Sequence, residues 1–343
     1  MDNNRILVTG GTGYIGSHTV VELQKKGYEV IIVDNLSNSD KSVLDRIEKI
    51  SGVRPGFLEI DLADEKAVLD LVKNKLADVD KVIHFAAYKA VEESVREPLK
   101  YYRNNFYSLI NLLTAFSGRK VKFVFSSSCT VYGEPDELPV SEQAPVKKAT
   151  SPYGNTKQVA EEILEETAAA KDNYRIISLR YFNPVGAHSS AMIGELPKGV
   201  PQNLVPFITQ SAIGKRGEIT VFGNDYDTPD GSCIRDFIHV VDLAKAHVAA
   251  IERLEVATTK YEVFNAGTGT GFSVLQLLKA FEEATGVKPQ YKIGGRRAGD
   301  IIKVWGNVSK AEQELNWKTE LSIEEMMRSA WEWEKYIKEN GIS

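Results

Sequence analysis

Cysteine is scarce in this chain of 343 residues, which has only Cys129 and Cys233. Two cysteines outside any C-x-x-C spacing cannot build a disulfide framework, and they predict a reducing, cytoplasmic setting. Histidine is also sparse: His18, His84, His188, His239 and His247 form no H-x-x-x-H pair, so no metal site is expected. No apolar run approaches the roughly 18 residues that a membrane helix needs. The first strand-like run, from Arg5, begins too early for a signal peptide to precede it. A large excess of charge is missing too, with 42 Lys and Arg against 47 Asp and Glu for a net −5. Nucleic acid and anionic membranes therefore find no electrostatic invitation. The 26 glycines and 12 prolines are too few for a collagen-like or low-complexity chain.

What the chain does have is alternation. Short runs rich in Val, Ile and Phe recur at Arg5–Thr9, Glu29–Asp34, Phe57–Asp61, Lys81–Ala86, Lys122–Ser126 and Arg175–Arg180. Helical segments are expected between them, at Gly16–Lys26, Ser42–Ile50, Glu65–Lys75, Pro98–Phe116 and Pro152–Lys171. Continuous apolar strands separated by helices predict a doubly wound parallel α/β sheet buried on both faces. Residues 183–235 hold a dense set of Pro, Gly and Asn and read as a long irregular connection with short elements. Further on, His239–Arg253 reads as a strand end plus a helix, Ser273–Thr285 and Ile323–Lys338 as helices and Tyr261–Asn265 as a strand. This predicts a dinucleotide-binding domain over residues 1–182 and a smaller α/β domain over 183–343, with about 236–266 returning to the first sheet.

Gly10, Gly13 and Gly16 stand between the first strand and the first helix as G-x-x-G-x-x-G. Backbone without side chains can turn tightly and approach a pyrophosphate, whose charge then faces the helix N-terminus. Asp34 ends the second strand, where a carboxylate can accept hydrogen bonds from an adenosine ribose and repel a 2′-phosphate, favouring NAD over NADP. The alternative is that Asp34 simply caps the turn Asn35-Leu36-Ser37-Asn38. Downstream, Tyr153 and Lys157 lie four apart in a helix opened by Ser151-Pro152, and so share a face. A protonated lysine beside a phenol is expected to lower the phenol's pKa from about 10 and make it a general base. Ser126-Ser127-Ser128 ends a buried strand, at the carboxyl edge where doubly wound sheets take their ligands.

The glycine loop, Ser128 and the Tyr153/Lys157 pair resemble the extended short-chain dehydrogenase/reductase family, which has a Rossmann-type fold. The stretches Asp34–Ser39, His84–Val91, Ser126–Gly133, Ser151–Lys157, Leu179–Asn183, Pro201–Pro206 and Arg235–Val240 narrow the resemblance to its nucleotide-sugar epimerases, essentially end to end. The resemblance implies reversible inversion at C4 of UDP-hexoses through a transient 4-keto sugar, with bound NAD and a homodimeric assembly. It puts Tyr14, Ile15, Asp34, Asn35, Asn38, Ser39, Asp61, Leu62, Phe85, Ala86, Ala87, Lys89, Asn104, Ser128, Tyr153, Lys157 and Tyr181 around NAD. It puts Lys89, Ser128, Tyr153, Asn183, Asn203, Leu204, Phe222, Arg235, Arg297, Asp300 and Val304 on the UDP-sugar side. Tyr153 is the implied base, Lys157 its partner, and Ser128 the hydrogen-bond donor to the reacting oxygen.

Two positions separate relatives within that family. Its 4,6-dehydratases carry an Asp-Glu pair just before V-Y-G, whereas this chain has Cys129-Thr130 there, so elimination of water is not expected. Four residues after Asp300 the family can place a bulky tyrosine that limits N-acetylated sugars. Val304 stands here, which predicts that UDP-N-acetylglucosamine is accepted as well. Competing expectations are a net NAD-dependent nucleotide-sugar oxidoreductase, which would accumulate NADH or a keto product, and a non-catalytic NAD sensor, which would have no use for a general base. On the helices Pro98–Phe116 and Pro152–Lys171, the apolar residues Phe106, Leu109, Leu113, Ile163 and Leu164 are candidates for monomer core or for a symmetric contact.

Overall fold

The computed structural model describes residues 4–297 and 299–342. The first half of the chain lays down strands β1 (Arg5–Thr9), β2 (Glu29–Asp34), β3 (Gly56–Glu59), β4 (Lys81–His84), β5 (Val121–Ser126) and β6 (Tyr174–Tyr181). Between them run α1 (Tyr14–Lys25), α2 (Val43–Ser51), α3 (Glu65–Asn74), α4 (Val91–Arg96), α5 (Pro98–Phe116) and α6 (Pro152–Ala170). The second half adds β7 (Asn183–Val185), α7 (Leu204–Ala212), β8 (Ile219–Phe222), β9 (Ile234–His239), α8 (Val240–Val256), β10 (Tyr261–Ala266) and β11 (Gly271–Ser273). It ends with α9 (Val274–Thr285), β12 (Tyr291–Gly294), β13 (Lys303–Val304), α10 (Ser309–Glu314) and α11 (Ile323–Glu339).

Seven strands form a parallel sheet in the order β10-β6-β5-β4-β1-β2-β3. Alternate side chains leave opposite faces of a strand, and the core divides accordingly. Ile6 and Val8 join the cluster under α1, α2 and α8, while Leu7 joins the cluster under α3, α5 and α6. All three are fully buried, and each such side chain contributes about 1.5–3 kcal/mol of apolar transfer free energy. The chain order reverses between β1 and β4, so the loops after these two strands diverge and leave a crevice at their carboxyl ends.

The other lobe is built on β9, flanked by β11, β13 and β7, with a separate parallel pair β8-β12. Its core packs Val185, Ile208, Val221 and Phe237 against Leu277, Phe281 and Met327 from α9 and α11. Both of these helices open with a reciprocal capping box, Ser273 with Gln276 and Ser322 with Glu325. Residues 183–235 are thus less irregular than their composition suggests, since they include a nine-residue helix and two strands. No helix among the described residues is long and apolar enough to cross a membrane.

Candidate active site

The glycine turn sits at the switch point and is forced by crowding. Gly10 has φ +69°, and a Cβ there would lie 2.8 Å from the Ala86 backbone nitrogen on the loop after β4. A Cβ on Gly16 would fall 2.3 Å from the Gly10 carbonyl oxygen. The first turn of α1 has neither an acidic residue nor a side-chain cap on its N–H groups. Bare backbone at the positive end of a 12-residue helix fits a phosphate group. Asp34 is half-buried beside this turn, and its carboxylate accepts from Leu36 N (2.9 Å), Thr12 N (3.3 Å) and Ser39 Oγ (3.3 Å). It therefore caps the turn that follows it, and the same contacts place it beside the glycine loop.

The other residues expected around the cofactor are spread along the same edge of the sheet. Ile15 and Leu62 are buried, and Asn38 and Asp61 are exposed. Phe85 packs on the His247 ring at 4.6 Å, and Tyr181 faces the same ring at 6.4 Å. Ala86 and Ala87 follow in the β4 loop. Asn35 caps its own turn through Ser37 N, and Asn104 donates to Asn105 Oδ1. The Tyr14 hydroxyl reaches across to the Gly186 carbonyl (2.6 Å), tying α1 to the other lobe.

Ser151 accepts from Gly154 N and, with Pro152 in the first turn, fixes where α6 begins. That start puts Tyr153 and Lys157 on the buried face of the helix, against the end of β5. Ser128 caps the short 3-10 turn Cys129–Tyr132, accepting from Thr130 N, and its hydroxyl lies near enough to the Tyr153 phenol to act on its proton. Lys157 Nζ donates to the Ser126 carbonyl (2.7 Å) and lies 4.6 Å over the Phe125 ring.

The electrostatics correct one expectation. Tyr153 is not lowered by its lysine: burial, reinforced by the neighbouring Tyr181, raises the phenol well above its ordinary value, and only the Ser128 hydroxyl works the other way. Lys157 has itself been pushed down to about 8 by burial, and its proton goes to a backbone carbonyl. Desolvation outweighs the charge that spacing along the helix suggested.

Across the crevice, β9 and β13 pair so that Arg235 and Val304 are direct register partners. Val304 is buried in one cluster with Cys129, Val131, Tyr132 and Phe182, so the wall it forms adjoins the Ser128 turn. Arg235 Nη1 donates to the Ile234 carbonyl (2.8 Å), and Asn183 on β7 pairs with Phe237. Phe222 is 42% exposed. The Arg297 guanidinium stands 5.3 Å over its ring and is held by Asp300 at 2.7 Å. An exposed aromatic ring flanked by arginine suits a planar base next to a diphosphate. Asn203 and Leu204 start α7.

Residues 6–267 match the model of the NAD dependent epimerase/dehydratase family. This protein belongs to that family. Among curated members, a UDP-glucose 4-epimerase of Dictyostelium discoideum is 47% identical over 342 residues, covering 99% of this chain and 98% of its own. A solved UDP-glucose-4-epimerase from Stenotrophomonas maltophila, with bound NAD and formylated UDP-arabinopyranose, superposes with TM-score 0.94 at 46% identity, covering 98% of this chain and 99% of that one. The Bifidobacterium longum UDP-glucose 4-epimerase, in complex with NAD+ and UDP, gives TM-score 0.91 at 47% identity, covering 97% and 98%.

Seen as a member of the epimerase/dehydratase family, the chain has two carboxylates that the reading of its sequence overlooked. Glu195 bonds both Lys89 Nζ (3.2 Å) and Asn203 Nδ2 (2.7 Å), joining one residue from each side of the crevice. It sits in a loop without periodicity, and nothing in the sequence marks it. Glu161 is different: it lies one turn beyond Lys157 on the same face of α6, a spacing as legible as that of Tyr153 and Lys157. Among the described residues no group of three or more His, Cys, Asp or Glu is placed to hold a metal.

Proposed function

We propose that this protein is an NAD-dependent epimerase that inverts C4 of UDP-hexoses, interconverting UDP-glucose and UDP-galactose and accepting their N-acetylated counterparts. The observation that carries the reading is the buried Ser128–Tyr153 pair with Lys157 beside it. The pair stands at the carboxyl edge of a Rossmann-type sheet and adjoins a wall that offers Arg235 and Val304. The relatives' bound ligands support the choice of cofactor and of nucleotide.

The bare glycine turn and α1 would hold the NAD pyrophosphate, Asp34 its adenosine ribose, and Lys157 the nicotinamide ribose. When bound, NAD supplies the acceptor, and then the donor, of a hydride at the sugar C4. Tyr153 takes the proton of the 4-hydroxyl and returns it, while Ser128 holds the reacting oxygen in line. In the resting site burial outweighs Lys157, so its ammonium acts on the phenolate only as the proton leaves. The charge of Arg235 and Arg297 answers the UDP diphosphate. Cys129 and Thr130 offer no carboxylic acid for elimination, which supports epimerisation over dehydration.

Two further readings extend the proposal. The chain assembles as a homodimer through α4 and α5, whose Val95, Leu99, Tyr107 and Ile110 are exposed. Leu109, Leu113 and Leu164 take no part, because they are buried in the monomer core. Cys129 and Cys233 are both free thiols, in keeping with a cytoplasmic location.

The test is to incubate the purified protein with UDP-galactose, and separately with UDP-N-acetylgalactosamine, without added cofactor. Formation of the glucose and N-acetylglucosamine epimers, with NAD in the denatured supernatant and no net NADH, is the expected outcome. Net NADH or an accumulating keto sugar would replace the epimerase with an oxidoreductase. Conversion of the first sugar alone would remove the role given to Val304.

A further inference from the structure

Behind the reacting face lies a polar chain that the proposed reaction does not use directly. Glu161 is buried, and its carboxylate accepts from Ser127 Oγ, from Arg180 Nε at 3.1 Å to both oxygens, and from Arg180 Nη2 at 2.6 Å. The guanidinium lies 4.8 Å over the Tyr132 ring. The Tyr132 hydroxyl donates to Asn265 Oδ1 (2.6 Å), and Asn265 Nδ2 donates to the Val140 and Asn307 carbonyls next to β13. Burial works against the Arg180 charge, but the hydrogen bonds and charge of Glu161 outweigh it and hold the guanidinium above its ordinary value.

A buried ion pair of this kind is weak evidence of stabilisation, since apolar residues of like volume often do as well. Its position suggests another task. Glu161 is one turn from Lys157 and two from Tyr153, on one stripe of α6. The groups around Lys157 otherwise give its charge little support. His84 on β4 is held neutral by burial and by the Lys157 charge, down to about 3. Arg180 and Tyr181 on β6 bring a cation and a protonated phenol. Tyr153 on α6 itself and Tyr101 on α5 are protonated phenols as well. From β5 there is the Phe125 ring and the Ser126 carbonyl. Glu161 is the anion that opposes the desolvation of the ammonium.

We propose that Glu161, clamped by Arg180 and Ser127, is a positioning residue that keeps Lys157 charged beneath Tyr153 and so sets the pH range over which the proton transfer runs. This rests on the epimerase reading above. The clamp matters because a carboxylate held by three donors cannot turn away from the lysine.

In purified protein carrying ε-13C-labelled lysine, the Lys157 resonance is identified by its loss in K157M and titrated by NMR. Relative to wild type, E161Q is expected to lower the midpoint by about one pH unit. R180Q, which releases the carboxylate, is expected to lower it as well, and R180K, which keeps a cation on the carboxylate, to leave it in place. The pH profile of UDP-galactose conversion is expected to move with the midpoint in each variant. Midpoints that stay put or rise in E161Q and R180Q overturn the proposal. If E161Q fails to fold by circular dichroism, the R180Q shift decides alone. Lowered midpoints in a protein that leaves UDP-galactose unchanged would keep the role of Glu161 and overturn the epimerase reading instead.

Discussion

Tyr153 starts from an unfavourable position for a base. Its phenol is desolvated among Tyr181, Cys129 and Tyr101, and all of them hold the proton on. Deprotonation has to be favoured by what the crevice binds and by the cation of Lys157, so the hydroxyl matters for turnover far more than for the fold. Replacing Tyr153 by Phe is expected to cut epimerisation by at least about 10³-fold. The NAD content of the purified protein and the thermal midpoint should stay near wild type, and a rate within tenfold of wild type would reassign the base. At this scale the sequence is legible wherever chemistry follows spacing along one helix: Tyr153, Lys157 and, had it been looked for, Glu161. The direction in which Tyr153 titrates is not legible, because burial is a property of the assembled lobes and not of any segment.

Elements show the same division. Strands β1, β2, β4, β5 and β6 are rich in Val, Ile, Leu and Phe and could be placed to within a residue or two, as could α5 and α6 with their Pro starts. Several of the later elements could not, and four show why. The six-residue α4 is too short to show a period. In α7 the opening Leu-Val-Pro-Phe-Ile is apolar on nearly every side and marks no stripe. β12 is exposed along most of its length, and β13 is two residues long and exists only through its pairing with β9. The glycine turn, by contrast, is legible in position, and its crowding makes a definite prediction. Gly10→Ala would require a side chain at φ +69° and a contact of 2.8 Å with Ala86 N. The variant is expected to lose about 1–3 kcal/mol of stability and most of its bound dinucleotide, read by urea unfolding and by absorbance of the released nucleotide. Full retention of both would mean that the turn relaxes at no cost.

For the whole molecule, the five histidines matter together. All are buried, and burial is the first cause that lowers His18 and His84 to about 3 and His239 and His247 to about 4. An unfolded chain protonates these rings near 6.5 while the folded one refuses, so the stability they allow is complete above pH 6.5 and drains away as the pH falls toward 4. Each of the four rings lowered to about 3 or 4 contributes about 1.4 kcal/mol per pH unit across that window. Urea midpoints measured from pH 7.5 to 4.5 are expected to be flat at first and then to fall steeply, and a flat profile throughout would contradict the burial of these rings. The lobes also share an unusual seam. His239, the last residue of β9, is itself the cap of α8. One thread thus passes from the β9 wall straight into the helix packed on α1, without a spacer residue. Any tug on that wall has no slack to absorb it and must arrive at the helix that opens on the glycine turn.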